Sequence, residues 1–453
     1  MRRTNAYEGK HVLVLGLAKS GSAAAELLIK QGAIVTVNDQ KPFEENEEAQ
    51  KLSSLGAEVV CGSHPLDLIH TELSLLVKNP GIRYDNPLVE KAVSLNVPVI
   101  TEVELAYQIS EADIIGITGS NGKTTTTTYI YEMLKGGEKE PFVAGNIGEV
   151  SCEVAQQVTE ENVMVTELSS FQLMGIQAFR PKVALLLNIV EAHLDYHGDL
   201  INYIHAKGNI FKNQTQEDYL IYNADDVDVS ELVTSGQASA KLIPFSTTKY
   251  VSGGACIHNN QLEVFGEPLL HVEEMSLPGE HNIANGLAAA AAALLSGAKR
   301  ERVIEVLKSF RGVEHRLQYV ATHDGRKFYN NSKATNVPAT ITALKAFEQP
   351  IVLIAGGLDR GLSFDGLIPY FNGVKSVVAY GETAEKIGET AKKAGIENIH
   401  LTKTLDQAVP MAFEQSKEGD VILLSPACAS WDQFKTFEER GDHFVNAVKK
   451  IGQ

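Results

Sequence analysis

Residues 116–126 read Gly-Ile-Thr-Gly-Ser-Asn-Gly-Lys-Thr-Thr-Thr, between an apolar run at 114–117 and a helical pattern that begins near Lys123. Small residues after a strand, then Gly-Lys-Thr at a helix start, suit a triphosphate. Backbone N–H groups and the helix N-terminus meet the phosphate oxygens, Lys123 neutralises the outer phosphates, and the Thr124 hydroxyl can ligate Mg²⁺. Five residues before Gly122 stands Ile117, so Gly119 takes the place of the first glycine. The expectation is an ATP site formed by Gly119, Ser120, Asn121, Gly122, Lys123, Thr124 and Thr125.

Other strand ends carry further candidates. Glu167 closes the apolar run 163–166, and a carboxylate beside a phosphate loop is where an NTPase holds its metal. Asn188-Ile-Val-Glu-Ala-His193-Leu-Asp195 follows the next strand and offers His193 as a metal or water contact; Asn146, in Gly-Asn-Ile-Gly, adds a neutral polar group. Lys207 lies in Tyr203-Ile-His-Ala-Lys207 and by its chemistry alone is an ordinary helix lysine.

Near the N-terminus, Val14-Leu15-Gly16-Leu17-Ala18-Lys19-Ser20-Gly21 is one glycine short of the dinucleotide fingerprint, and Asp39 ends the second strand at the spacing of a ribose contact. This fits a Rossmann-like fold for some other nucleotide or diphosphate better than it fits NAD. Asn79-Pro80-Gly81 puts a tight turn at another strand end, as a ligand contact or a structural turn. In the last third His315-Arg316 follows a hinge-like Arg311-Gly312, while Asn330-Asn331-Ser332-Lys333-Ala334-Thr335-Asn336, Gly356-Gly357-Leu358-Asp359-Arg360-Gly361 and Ser425-Pro426-Ala427-Cys428-Ala429-Ser430 stand at strand ends. Three such loops in one sheet describe one ligand crevice.

The elements that must position these groups alternate strand and helix almost throughout, the pattern of a mostly parallel α/β protein. At 453 residues the chain exceeds one ordinary core. Three α/β domains are expected: 1–101, 102–312 and 313–453. Residues 250–272 read as an antiparallel excursion, and Asp324-Gly325 as a hairpin turn. The formal charge of −17 argues against broad binding to nucleic acid or anionic membrane. The four scattered cysteines suggest a reducing compartment and no zinc site. With neither a signal-peptide pattern nor a membrane-length apolar run, the expectation is a soluble cytoplasmic protein, as a monomer.

Taken in order, Thr118-Gly-Ser-Asn-Gly-Lys-Thr-Thr, Gly145-Asn-Ile-Gly148, Glu167-Leu-Ser-Ser-Phe-Gln172, His193-Leu-Asp195, Leu277-Pro-Gly-Glu-His-Asn282, His315-Arg316, Asn331-Ser-Lys-Ala-Thr-Asn336 and Ser425-Pro-Ala-Cys-Ala-Ser-Trp-Asp-Gln-Phe-Lys-Thr-Phe437 resemble the Mur ligases along essentially the whole chain. The resemblance implies a Rossmann-like N-terminal domain for a UDP-sugar, a central P-loop domain for ATP, and a C-terminal Rossmann-like domain for the incoming amino acid. The last segment above all implies D-glutamate as the amine and UDP-N-acetylmuramoyl-L-alanine as the acid. The reaction implied passes through an acyl phosphate and a tetrahedral intermediate.

The resemblance also implies roles. Lys123, Glu167, His193 and Lys207 form the catalytic set, and Thr124, Glu167, His193 and a carbamylated Lys207 serve two Mg²⁺ ions. Asn282, Arg316 and Asn331 flank the nucleotide; Asn331 replaces an aspartate of relatives. Leu17, Ala18, Asp39, Gln40, Lys41, Asn79, Gly81, Asn146, Ser169 and Gln172 take the UDP substrate. Lys333, Thr335, Arg360, Ser430 and Phe437 take D-glutamate, with Arg360 standing where some relatives have lysine. Three domains working on two substrates imply hinges at 101–112 and 311–313. The alternatives are a related ligase with a different amino acid or of the folylpolyglutamate synthase type, an NAD-dependent oxidoreductase, and a P-loop switch without amide chemistry.

Overall fold

The computed structural model describes residues 6–451 except 237, 278 and 348. Pro278 of the 277–282 motif, and the first five residues, therefore lie outside the described residues. The chain packs as two compact units, Met1–Phe310 and Arg311–Gln453.

The first unit begins with a parallel sheet of β1 (His11–Leu15), β2 (Ile34–Asp39), β3 (Glu58–Cys61), β4 (Leu73–Lys78) and β5 (Val99–Ile100), ordered β3-β2-β1-β4-β5. β1 and β4 are nearly continuous apolar runs because helices and loops cover both faces. The chain leaves β1 toward β2 on one side, and β4 pairs on the other. The direction of winding thus reverses between β1 and β4, the kind of strand end at which such sheets bind ligands, and there the Asn79 amide donates to Leu15 O at 2.8 Å.

The second sheet has nine strands: β6 (Asp113–Thr118), β7 (Glu140–Gly145), β8 (Asn162–Glu167), β9 (Val183–Leu186), β10 (Tyr219–Asn223), β11 (Lys241–Ser246), β12 (Ala255–His258), β13 (Gln261–Val264) and β14 (Glu267–His271). Their order is β14-β13-β12-β11-β10-β9-β6-β8-β7. Neighbours from β7 to β12 pair in parallel, and β12 to β14 form the antiparallel excursion expected from the sequence. β11 was not anticipated, since Pro244 in its middle lacks a ladder N–H. The helices Lys123–Leu134 and Glu280–Leu295 pack together over one face; the alanines of the latter permit close approach.

One expected hinge is a packed element. The segment 101–112 contains the helix Glu102–Ile109, Thr101 donates from its amide to Gly175 O at 3.0 Å, and Glu104 accepts from the amides of Gln177 and Phe179 at 2.8 and 2.9 Å. Thr101 and Glu104 are fully buried. The buried Glu104 carboxylate is satisfied by backbone donors and ties this helix to residues 177–179.

The second unit is a six-stranded sheet of β15 (Gln318–His323), β16 (Arg326–Asn330), β17 (Ile351–Gly356), β18 (Val374–Tyr380), β19 (Asn398–Thr402) and β20 (Val421–Leu424), ordered β15-β16-β20-β17-β18-β19. β15 pairs antiparallel with β16 through the Asp324-Gly325 turn, and the other neighbours are parallel. The loops after β16, β17 and β20 emerge side by side at one edge, as the crevice reading required.

Candidate active site

The phosphate-type loop joins β6 to the helix Lys123–Leu134. Gly122 caps that helix at φ 82°, with no side-chain capping hydrogen bond. A Cβ there would stand 2.3 Å from Asn285 Oδ1, so glycine is required by both conformation and space. The Asn121 amide donates to Asn188 Oδ1 at 2.8 Å, Asn188 Nδ2 returns to Asn121 O at 3.1 Å, and the Ser120 amide donates to Asn188 O at 2.9 Å. Ser120 Oγ also meets the Tyr203 hydroxyl at 2.9 Å. The loop is thus held in shape by β9's following segment and by the helix Leu200–Gly208.

Two lysines converge on this loop. Lys123 Nζ donates to Gly119 O at 2.8 Å and Ser120 O at 3.0 Å, and Lys207 Nζ donates to the same Gly119 O at 2.8 Å. Lys207 is buried and lies over the Tyr203 ring, one helical turn earlier, at 4.7 Å from its centroid. Burial first, and then the Lys123 charge, pull the Lys207 ammonium down to about 6, against a smaller opposing pull from Glu167.

Glu167 ends β8 with its side chain buried. Asn146 Nδ2 donates to Oε1 at 2.8 Å, whereas Oε2 has no hydrogen-bond partner. An unpartnered buried carboxylate oxygen is costly unless a cation meets it. Thr124, at the start of the neighbouring helix, is also buried. Among the described residues no group of three or more His, Cys, Asp and Glu forms a metal cage. The unpartnered Glu167 oxygen and the Thr124 hydroxyl suit a hard cation that fills the rest of its shell with phosphate oxygens and water, as Mg²⁺ does.

His193 takes a left-handed conformation (φ 56°, ψ 31°) before the helix Leu194–His197. Burial, then Lys207, depress its pKa. Phe171 lies between two histidines, edge-on to His193 at 5.0 Å and stacked on His197 at 5.4 Å. His197 Nε2 pairs with Ser170 Oγ at 2.9 Å, and burial lowers its pKa to about 4. Ser169 and Gln172 close a reciprocal cap on the short helix Ser170–Leu173, which carries Phe171, and this commits the Gln172 amide oxygen to that cap. Asn282 lies in the first turn of Glu280–Leu295.

At the C-terminal ends of the first sheet's strands, the Leu17 amide donates to Asp39 Oδ2 at 2.7 Å and the Lys41 amide to Oδ1 at 2.9 Å. Asn79 Nδ2 donates to Ser20 Oγ at 3.1 Å and its Oδ1 accepts from the Gly81 amide at 3.2 Å. Leu17, Asp39 and Lys41 are therefore joined directly, with Asn79 and Gly81 on the adjacent strand end. Ala18 caps the first helix and Gln40 is exposed beside Asp39.

In the second unit, Arg440 is fully buried and gathers the strand-end loops. Its Nε and Nη2 donate to Ser332 Oγ and O at 2.9 and 2.8 Å, and Nη1 donates to Cys428 O at 3.0 Å. A Cβ on Gly357 would stand 3.3 Å from Nη1, so the guanidinium touches the loops after β16, β17 and β20. Lys333 lies over the Phe437 ring at 5.7 Å, Arg360 over Trp431 at 4.7 Å, and Ser430 is buried at the next residue. The Thr335 amide turns back to Lys333 O. Asn331 is committed locally: Nδ2 donates to Ser425 Oγ at 3.1 Å and Oδ1 accepts from the Leu317 amide at 3.2 Å. Arg316 follows His315 in a turn where His315 and Leu317 both have positive φ.

Sequence reasoning missed Tyr203, Asn285, Asn188 and Arg440. Helical spacing could have found three of them: Tyr203 is four before Lys207, Asn285 three after Asn282, and Arg440 three after Phe437.

Three family models match: the Mur ligase MurD-like N-terminal domain at residues 10–101, the Mur ligase middle domain at 117–293, and the Mur ligase glutamate ligase domain at 315–428. The chain is 58% identical over 452 residues to the UDP-N-acetylmuramoylalanine–D-glutamate ligase of Geobacillus sp. (strain WCH70), covering 100% of both chains. It is 58% identical over 451 residues to the protein of the same name from Bacillus cereus (strain ATCC 14579), again covering 100% of both. Among solved structures, the fold matches UDP-N-acetylmuramate-alanine ligase MurC of Thermotoga maritima at TM-score 0.56 and 21% identity, over 98% of this chain and 99% of that one. It also matches the MurF ligase of Thermotoga maritima in complex with ADP at TM-score 0.54 and 15% identity, over 99% and 98%.

Proposed function

We propose, for a chain that belongs to the Mur ligase family, the reaction named by the full-length relatives: ATP-dependent ligation of D-glutamate to UDP-N-acetylmuramoyl-L-alanine in peptidoglycan precursor synthesis. The observation that carries this reading is identity of 58% from end to end.

A carboxylate is a poor electrophile, and phosphorylation supplies its leaving group. The alanyl carboxylate takes the γ-phosphoryl group of ATP and ADP leaves. The D-glutamate amine attacks the acyl phosphate, the amine loses a proton, and the tetrahedral intermediate expels phosphate to leave the amide. Both steps bring anions together, so positive charge must be fixed in place beforehand.

We assign residues 1–101 to the UDP-sugar, 102–312 to ATP and 313–453 to the amino acid. The loop 119–125 with Asn282 cradles the triphosphate, and Lys123 balances its outer charge. Arg316 and Asn331 are also assigned to the nucleotide; the local bonds of Asn331 restrict its part to whatever donor or acceptor capacity remains. Thr124, Glu167 and His193 would hold Mg²⁺, and the unpartnered Oε2 of Glu167 supports this. Bound Mg²⁺ supplies charge neutralisation on the transferring phosphoryl group. Lys207, with its ammonium destabilised by burial and by Lys123, supports carbamylation, because only the neutral amine adds CO₂. The amine and CO₂ form an N–C bond, one proton leaves, and an anionic oxygen ligand replaces a cation.

Leu17, Ala18, Asp39, Gln40, Lys41, Asn79 and Gly81 are assigned to the UDP moiety, and Asn146, Ser169 and Gln172 to its sugar-peptide end. Lys333, Thr335, Arg360, Ser430 and the Phe437 backbone are assigned to D-glutamate. The chain is assigned to the cytoplasm and to a monomeric state. Among the described residues, no helix is long and apolar enough to cross a membrane; sedimentation at working concentration tests the monomer.

Mass detection of the amide from UDP-N-acetylmuramoyl-L-alanine, ATP and D-glutamate tests the function. D-glutamate must drive more ADP release than L-alanine, L-lysine or meso-diaminopimelate; equal release removes the specificity.

A further inference from the structure

Lys78 ends β4 immediately before the Asn79-Pro80-Gly81 turn, and its side chain is almost wholly buried. Nζ donates to Ile82 O at 2.8 Å, to Pro80 O at 3.4 Å and to the Tyr196 hydroxyl at 3.2 Å, and lies over the Tyr84 ring at 4.7 Å. Among the described residues it forms no ion pair with a carboxylate. The turn therefore wraps around a buried cation, with two carbonyls directed at it. Such burial is costly unless every donor is used, and burial alone lowers the pKa of Lys78 to about 8.

The same hub reaches across the first unit. Tyr196 belongs to the short helix after His193, and its hydroxyl lies 3.0 Å from Pro80 O and 2.9 Å from Ile82 O. Its ring packs on Phe171 at 4.4 Å, the ring that also meets His193. The Tyr84 hydroxyl donates to Met174 O at 3.0 Å, a second tie from this turn to the Phe171 helix. No role assigned above uses Lys78, Tyr84 or Tyr196.

We infer that Lys78 is a positioning residue for the UDP-linked substrate: its ammonium draws the Pro80 and Ile82 carbonyls inward, fixing the Asn79–Gly81 turn, and through Tyr196 locks that turn to the segment carrying His193. The inference rests on the assignment of this turn to the UDP moiety. Its effect falls first on the UDP-linked substrate, because both carbonyls that Nζ meets belong to the turn and its following residue.

The test is steady-state kinetics on the full chain with Lys78→Met, which keeps the stem and removes the donors. We expect KM for UDP-N-acetylmuramoyl-L-alanine to rise about tenfold, with KM for ATP and D-glutamate within about twofold. Tyr196→Phe keeps the ring and should raise the same KM by less, and the double variant should fall short of the product of the two effects. An unchanged KM for the UDP substrate in a variant that melts normally overturns the inference, as does a parallel rise in all three constants. If Lys78→Met does not fold, Tyr196→Phe decides alone, and an unchanged KM there overturns it. Calorimetric titration with UDP separates this failure from failure of the functional reading. Weaker UDP binding by the variant supports the inference even if no amide forms, and equal binding overturns it.

Discussion

Lys123 and Lys207 donate to one and the same carbonyl oxygen, that of Gly119, each at 2.8 Å. Two ammonium groups on one acceptor repel each other, and the buried member yields. The loop that would hold phosphate is thereby flanked by two lysines, of which the buried Lys207 is the one suited to lose its proton.

Lys207→Ala should abolish turnover and be partly rescued by formate or acetate, which return an anionic oxygen to the site. Carbon-13 NMR of protein equilibrated with labelled bicarbonate should show a carbamate signal that is missing in the variant. Unimpaired turnover in Lys207→Ala would remove the carbamate role.

The same lysine predicts a pH dependence of stability. In the unmodified protein its pKa falls from 10.5 to about 6, so between these values the unfolded chain binds one more proton than the folded chain. Its contribution is most unfavourable below about pH 6 and is relieved as pH rises toward 10.5. Urea melts in CO₂-free buffer should show Lys207→Met gaining most over wild type at low pH, with the gap narrowing as pH increases.

Glu167→Gln should separate activity from stability. The wild-type Oε2 is buried without a partner, so replacing the charge should leave the melting temperature unchanged or higher. Turnover should fall about 100-fold or more through loss of an electrostatic ligand. A variant that loses both stability and activity would mean that Glu167 mainly supports the fold.

Gly122→Ala should destabilise the protein by ~1–3 kcal/mol, from a strained left-handed conformation and displacement of Asn285. Nucleotide affinity should fall with it. Chemical denaturation and calorimetry with ADP check the two effects separately.

Arg440→Met should weaken D-glutamate most. The guanidinium spends three donations on Ser332 and Cys428, and removing it leaves those loop oxygens without their buried partner. A cost of ~2 kcal/mol or more is expected in stability, and KM for D-glutamate should rise more than KM for ATP. Equal rises would point to general disorder of the unit.

Much of the candidate site could be read along the chain because its groups stand where regular elements end. Gly122, Lys123 and Thr124 announce themselves by local spacing, and Glu167 and Asp39 by closing apolar runs. β11 was illegible because Pro244 opposes the strand pattern, and only its place between β10 and β12 overrides that. The tie of the helix Glu102–Ile109 to residues 177–179 was illegible because Glu104 meets the amides of Gln177 and Phe179, more than seventy positions away.

By itself the sequence determined the parallel α/β class, the phosphate-type loop and the resemblance to Mur ligases, because these depend on periodicity and on residues close together in the chain. Only the tertiary structure decided that Lys207 shares an acceptor with Lys123, that Glu167 keeps one oxygen unpartnered, and that Lys78 and Arg440 are buried cations organising loops. Burial and proximity set the charge state of a lysine, and both are created by segments that meet only when the chain has folded.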